Sequence, residues 1–395
     1  IEEVACLGCC TLAPVVQIDN ITYGKVNQNE IQEMLDDFLS KSEEKVSEET
    51  SFTKSVNAPG EIRLGLGSCC VASGSDDVKT AVQSAISDTN IQTNIKKVGC
   101  VGMCHQVPLL EIVPEGEEPV LYSKVQPEDV KKIISKHFKP KGLLNKLKNS
   151  VFSSIEKFYM QNGKNASENK YLDLQEKQVD NFLNKQVYIA TELKGVLNPN
   201  DIHEYQSNGG FTAFKKCVSS NMPKEIIGEI KNSGLKGRGG AGFHTYKKWE
   251  LVSNETAEKK YVICNGDEGD PGAFMDRMLL ESFPYRIIEG MCIAAFAAGA
   301  DEGILYIRAE YPLAVECIQK AIEKCYELNY LGENIFNSGF NFHMRIFQGA
   351  GAFICGEETA LIASMEGERG NPRVRPPYPA VKGFKGKPTL VNNAE

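Results

Sequence analysis

The chain has 395 residues, 42% hydrophobic and 24% charged, enough for two or three domains with cores of their own and too apolar for a disordered polymer. Its net charge of -8 argues against nucleic acid or an anionic membrane as the main partner. The longest low-charge apolar stretch, Met291 to Ala300, is far too short to cross a bilayer, so no direct membrane insertion is expected.

No charged-then-apolar leader follows Ile1, so the sequence shows neither a secretory signal nor an intact transit peptide, and its native start is expected to lie elsewhere. The thirteen cysteines are an odd number and sit in tight groups (Cys6, Cys9, Cys10; Cys69, Cys70; Cys100, Cys104). That pattern favours metal chemistry in a reducing compartment, cytoplasm or organelle matrix, over a disulfide framework.

The two N-terminal cysteine groups are repeats. Cys6, Gly8, Cys10, Pro14 and Ile18 recur 94 residues later as Cys100, Gly102, Cys104, Pro108 and Ile112. After a small insertion, Tyr23, Lys25 and Val26 match Tyr122, Lys124 and Val125. Each copy reads as a cysteine turn, a short strand (Val15 to Ile18; Leu109 to Val113), a hairpin strand and an amphipathic helix (Gln28 to Leu39; Pro127 to Phe138). The second copy also has a front half: a strand at Ile62 to Leu66, the Cys69-Cys70 turn and a helix from Asp76 to Ser87. The first copy lacks one and reads as the back half of a domain. Ser40 to Pro59 and Lys139 to Tyr171, rich in Ser, Lys, Glu or Asn, read as linkers, the latter with one weak helix.

From about Leu172 a larger domain begins. Helices are expected at Ala213 to Ser219, Pro223 to Ser233 and Leu313 to Leu328, and strands at Tyr261 to Cys264, Ile304 to Arg308 and Phe342 to Gln348. Gly237, Gly239 and Gly242 satisfy G-x-G-x-x-G, where missing side chains let backbone N–H groups approach a phosphate. The segment before this loop is helical in pattern, whereas the Rossmann fingerprint needs a strand there, so a Rossmann dehydrogenase is disfavoured. The acidic run Asn265-Gly266-Asp267-Glu268-Gly269-Asp270 would repel phosphate and suits hydroxyl groups, flavin polar atoms or a metal. Calcium and a plain structural turn stay open, although the EF-hand spacing with its terminal Glu is absent. Cys264, Cys292, Cys317, Cys325 and Cys355 lie among apolar residues and read as core thiols.

Two resemblances organise these observations. Cys6-Leu7-Gly8-Cys9-Cys10-Thr11-Leu12-Ala13-Pro14-Val15-Val16 resembles the back half of thioredoxin-like [2Fe-2S] ferredoxins, which implies Cys6 and Cys10 as two of four cluster ligands, the other two lying upstream. The second copy is similar to the same family. Its ligands by that resemblance are Cys69, Cys70, Cys100 and Cys104, but Gly65 stands where the family's C-x4-C motif has its first cysteine, so a degenerate docking domain stays open. From about Asn184 onward the chain resembles the NADH-oxidising, FMN-binding subunit of respiratory complex I and its relatives in NAD-linked hydrogenases and formate dehydrogenases. Beyond the glycine and acidic loops, the segments Arg308-Ala309-Glu310-Tyr311, Gly349 to Leu361, Asn371-Pro372-Arg373 with Pro376 to Pro379, and Val391-Asn392-Asn393 carry that likeness.

The resemblance implies FMN phosphate contacts from Gly237, Arg238, Gly239 and Gly240, with Lys248 supplying positive charge. Asn265, Asp267 and Glu268 would hold flavin and ribityl groups, Phe353, Gly356, Glu357 and Glu358 would line the other side, and Asn392 and Asn393 would close the pocket. Phe243, Asp270, Glu358, Arg375 and Tyr378 would receive NADH, with Phe243 and Tyr378 stacking on adenine. No residue is expected to act as acid or nucleophile, because hydride transfer needs positioning; Asp270 and Glu358 are the candidates for tuning the flavin. His244, Tyr246 and Phe353 depart from the family's Pro, Gly and Tyr, and Arg375 and Asp270 stand where it has Lys and often Glu.

The expected architecture is an α/β multidomain chain. Residues 1–42 form half of a thioredoxin-like [2Fe-2S] domain, 43–60 a linker, 61–140 a complete copy, 141–175 a second linker, and 176–395 an α/β FMN/NADH-binding domain, Rossmann-like without being a true Rossmann fold. The implied cofactors are FMN, NAD and [2Fe-2S], with [4Fe-4S] only in a domain beyond Glu395. The implied partners are NADH and iron-sulfur subunits of a hydrogenase, formate dehydrogenase or complex I-like assembly, peripheral to any membrane, with no nucleic acid. The competing expectation is a redox-inactive docking homologue.

Overall fold

The computed structural model describes residues 3, 7, 9, 12–19, 21–44, 60–89, 91–138, 181, 185–220, 222–270 and 272–395. Contacts divide the chain into two compact units, Thr11–Val196 and Leu197–Glu395, with Ile1–Cys10 grouped with the latter. Cys6 and Cys10 lie outside the described residues, as does the whole Lys139 to Tyr171 segment with its expected weak helix.

In the first unit, β1 (Val15–Ile18) and β2 (Ile21–Gly24) form an antiparallel hairpin in which Ile18 faces Ile21. The helix expected from Gln28 opens as a 3-10 turn capped by the Asn27 side chain, then continues as α1 (Ile31–Glu44) into the segment read as linker; residues 45–59 are not described. The second copy contains β3 (Gly60–Gly65), α2 (Ser68–Val71), α3 (Ser75–Thr89), β4 (Asn94–Val98), β5 (Leu110–Pro114), β6 (Val120–Tyr122) and α4 (Pro127–His137). Its sheet order is β4-β3-β5-β6, with β3 and β4 parallel and the other pairs antiparallel. Period-two alternation sends Ile62 and Leu64 of β3, and Leu110 and Ile112 of β5, to one face. Val78 and Val82 of α3 and Val130, Ile133 and Ile134 of α4 cover that face in one core. Pro127 at the helix start and reciprocal bonds between Gln126 and Asp129 fix where α4 begins. The Cys69-Cys70 turn is helical, and both thiols are buried.

The second unit runs α5 (Ile202–Ser207), α6 (Thr212–Ser220), α7 (Pro223–Ser233), α8 (Thr245–Asn254), β7 (Tyr261–Gly266), α9 (Met275–Ser282), α10 (Pro284–Ala298), β8 (Glu302–Arg308), α11 (Pro312–Glu327), β9 (Gly332–Ile335), β10 (Phe340–Gly349), α12 (Glu358–Met365), α13 (Pro379–Lys382) and β11 (Thr389–Asn393). The sheet order is β11-β7-β8-β10-β9, parallel except for β9. Every residue of β7 is buried, as a strand covered on both faces requires. The apolar stretch ending at Ala300 belongs mainly to α10, buried nearly all round. On α10 the buried Glu289 carboxylate accepts from Tyr205 Oη at 2.6 Å, Phe211 N at 2.8 Å and Phe214 N at 3.2 Å, tying α5 and α6 to the core. The five cysteines read as core thiols are all buried. Among the described residues no helix is long and apolar enough to cross a membrane.

Candidate functional site

The parallel strands fix where a ligand can sit. The chain leaves β7 for β8 on one side, whereas β11 returns to pair with β7 on the other, so strand order reverses between β7 and β11. In open α/β sheets the crevice beyond the carboxyl ends of the strands at such a reversal is the binding place. A cleft of about 570 Å³ lies there, lined by Asn265 at the end of β7 and by Val391, Asn392 and Asn393 at the end of β11.

The glycine loop forms one wall. Helix α7 ends at Gly234 in the left-handed conformation, and the chain returns through an isolated bridge between Lys236 and His244, with Gly237 N donating to Phe243 O at 2.8 Å. The loop is therefore a closed excursion from a helix end, unlike a strand-to-helix turn. Gly240 and Gly242 carry positive φ of 95° and 62°, which a side chain disfavours. Gly237 and Gly239 line the cleft, and a Cβ at either would meet only ordinary contacts with Phe243 O or the Asn393 side chain. Their bareness leaves room rather than relieving strain, as a phosphate cradle needs. Arg238 N donates to Asn393 Oδ1 at 3.0 Å, and Trp249 Nε1 to Asn392 Oδ1 at 3.2 Å, so both asparagines brace the loop and α8 against β11.

Opposite stands Glu358 at the start of α12. It accepts from Lys248 Nζ at 2.9 Å and pairs with Arg375 Nη1 at 2.8 Å, placing one carboxylate between two cations on the cleft wall. Glu357 is the N-cap of the same helix, accepting from Thr359 N and Ala360 N and from the Thr359 hydroxyl. Phe243 and Tyr378 line the cleft with half-exposed rings, 46% and 54%, available for stacking.

The acidic loop divides its labour. Asn265 donates to Gly356 O at 2.9 Å and accepts from Asp267 N. Glu268 points to the helix behind: its carboxylate accepts from Met275 N, Asp276 N and Arg277 N, capping α9. Burial pushes the Glu268 carboxyl up while those amides pull it down. Asp267 is only 8% exposed, and neither of its carboxylate oxygens has a partner. Burial pushes it up to about 6, against the pull of Arg308. Asp276 is raised to about 7 by burial, then by Glu268, Glu395 and Asp267.

A second tier, which no spacing in the sequence pointed to, holds these loops. Arg308, fully buried at the end of β8, pairs with Glu310 at 2.9 Å and donates to Glu268 O and Gly351 O, while Tyr311 Oη donates to Glu268 O at 2.8 Å. The structure therefore brings together on the cleft Gly237, Gly239, Phe243, Lys248, Asn265, Gly356, Glu357, Glu358, Arg375, Tyr378, Asn392 and Asn393. Arg238, Gly240, Asp267, Glu268, Asp270 and Phe353 are not among its lining residues.

The residues present fit FMN: bare glycine amides suit its phosphate, and the orphan Asp267 carboxylate suits hydroxyl donors.

Sequence comparison agrees with this geometry. Residues 230–395 match the Nuo51 FMN-binding domain, and residues 1–39 the thioredoxin-like [2Fe-2S] ferredoxin. The NADP-reducing hydrogenase subunit HndC of Solidesulfovibrio fructosivorans is 50% identical over 211 residues, covering 53% of this chain and 43% of that protein. A subunit of the NADH-quinone oxidoreductase of Buchnera aphidicola subsp. Schizaphis graminum is 48% identical over 195 residues, covering 49% and 44%. An NAD+-reducing [NiFe]-hydrogenase in the H2-reduced state aligns at 26% identity with a TM-score of 0.44, over 87% of this chain and 52% of that one. The chain spans less than half the length of these curated relatives. Residues 230–395 are thus similar to the Nuo51 FMN-binding domain, and residues 1–39 to the thioredoxin-like [2Fe-2S] ferredoxins.

Proposed function

We propose that this chain is the electron-entry module of a redox assembly: it binds FMN in the cleft between the ends of β7 and β11, oxidises a reduced nicotinamide dinucleotide, and passes single electrons to iron-sulfur centres. The observation that carries the reading is a bare glycine wall facing Lys248, Arg375 and two half-exposed rings at a strand-order reversal, with the unpartnered Asp267 carboxylate buried directly behind the cleft residue Gly356. The likeness to a subunit of NADH-quinone oxidoreductase and to a subunit of an NADP-reducing hydrogenase supports the reading, and we assign this chain to an assembly of that kind.

The residues act by position. Gly237 and Gly239 present backbone to the phosphate, Asn265 and Asp267 accept from the polar groups beyond it, and Phe243 and Tyr378 stack on the dinucleotide. Lys248 and Arg375 supply positive charge that Glu358 balances and aims. When bound, FMN supplies the hydride acceptor and the conversion of an electron pair into single electrons. The cysteines Cys6 and Cys10 are the chain's contribution to a [2Fe-2S] centre.

The test uses the chain's one tryptophan, Trp249, which hydrogen-bonds to the cleft residue Asn392. Adding FMN to flavin-free protein should quench its fluorescence saturably, and NADH should then bleach the bound flavin under anaerobic conditions. Absence of quenching refutes the binding site; quenching without bleaching by NADH or NADPH leaves a flavin-binding docking protein.

A further inference from the structure

The second α/β copy, residues 60–138, can be judged against the four thiolates that hold a [2Fe-2S] centre. Cys100 and Cys104 keep the spacing of the first copy. The Cys104 thiol lies beside those of Cys100 and Cys69, and Gly102 N donates to Cys100 Sγ at 3.3 Å. Cys69 and Cys70 are neighbours on the one-turn helix α2, so their side chains leave it about 100° apart. Cys69 is turned to Cys104, whereas Cys70 lies against Gly65 at the end of β3. Among the described residues no three Cys, His, Asp or Glu side chains are arranged to hold a metal ion.

Gly65 is the critical position. It lines a cavity of about 170 Å³ together with Cys70, Cys100 and Cys104. A Cβ built on it lies 3.3 Å from Cys70 Sγ, with no other atom within 4 Å, and its φ is outside the left-handed region. The backbone therefore accepts a cysteine there once the Cys70 side chain gives way by a few tenths of an ångström, and the new thiol would stand at the cavity that Cys70, Cys100 and Cys104 line.

We infer that residues 60–138 are a cluster-free copy of the ferredoxin unit, with a three-thiol contact where a four-thiolate centre would stand, and that the single change Gly65→Cys restores the centre. The inference is independent of the flavin reading, because it concerns only cysteines of the first compact unit.

The experiment measures iron, acid-labile sulfide and the electron paramagnetic resonance of the reduced full chain after anaerobic reconstitution, comparing native protein with Cys100→Ser, Gly65→Cys and the double variant. Iron bound elsewhere cancels in the differences. Cys100→Ser should leave iron and spectrum unchanged. Gly65→Cys should gain about two irons and two sulfides with a new [2Fe-2S] signal, which the double variant loses. Loss of about two irons in Cys100→Ser would show a native centre and overturn the inference. A folded Gly65→Cys protein, its melting transition intact, that gains no iron overturns it equally. Should Gly65→Cys not fold, the Cys100→Ser comparison still decides whether the native unit holds a centre.

Discussion

Replacing Asp267 by Asn tests the site most sharply, because its carboxylate, buried behind the cleft residue Gly356, destabilises the domain when no ligand engages it. Folded Asp267 titrates at about 6 against an ordinary 3.8, raised first by burial. Between these values the folded state holds more protons than the unfolded chain, so stability falls as pH rises through that window, and the full cost is present above pH about 6. At 1.36 kcal/mol per pH unit the cost is about 2 to 3 kcal/mol. Asn mimics the protonated form, so without flavin Asp267→Asn should melt like the native protein at pH 4 and about 4 to 10 °C higher at pH 7.5. Added FMN should largely close that gap, since hydroxyl hydrogen bonds to a charged acceptor are worth about 1.5 to 3 kcal/mol and only the native carboxylate offers one. The variant should bind FMN about ten- to a hundredfold more weakly. Thermal melting at the two pH values, with and without FMN, reads every term. A melting difference that ignores pH, or equal stabilisation of both proteins by FMN, refutes the argument.

Two further perturbations probe the tier beneath the loops. Arg308→Met leaves Glu310, with 10% of its side chain exposed, without its countercharge; this should cost about 3 to 5 kcal/mol, a melting fall on the order of 10 °C that adding Glu310→Gln partly restores. Gly351→Ala should release bound flavin on gel filtration, because φ is +78° and the new methyl meets the Glu310 carboxylate, prising apart the loops after β8 and β10.

What the sequence showed, and what it hid, follows from the range of each interaction. The bounds of α7 were legible because Pro223 starts it and Gly234 ends it in the left-handed conformation, both local signals. The alternation of β3 and the stripe of α4 were legible for the same reason. Helix α10 was not, since residues apolar on every side leave no stripe to read. Glu268 looked like a ligand because acids in a turn advertise charge, while the amides it caps belong to a helix that begins only at Met275. Lys248 and Glu358 are 110 residues apart, and no local pattern shows that they neutralise each other. Arg308 carried a recognisable motif but no hint that four loop contacts converge on its side chain and its neighbour Tyr311.

The glycine loop draws these lines together. Its spacing nominally belongs to a strand-to-helix turn, yet here it leaves a helix and closes through Lys236 and His244. What makes it suitable for phosphate is its place beside the ends of β7 and β11, where the strand order reverses, and the absence of side chains on Gly237 and Gly239. Lys248 and Arg375, both on the cleft wall, share the single carboxylate of Glu358, so an incoming anion meets two cations already engaged by one acid. On the proposed reading, phosphate recognition would fall mainly to backbone amides of the loop. A single carboxylate between two cations thus joins α8 to the segment around Arg375 across one cleft wall.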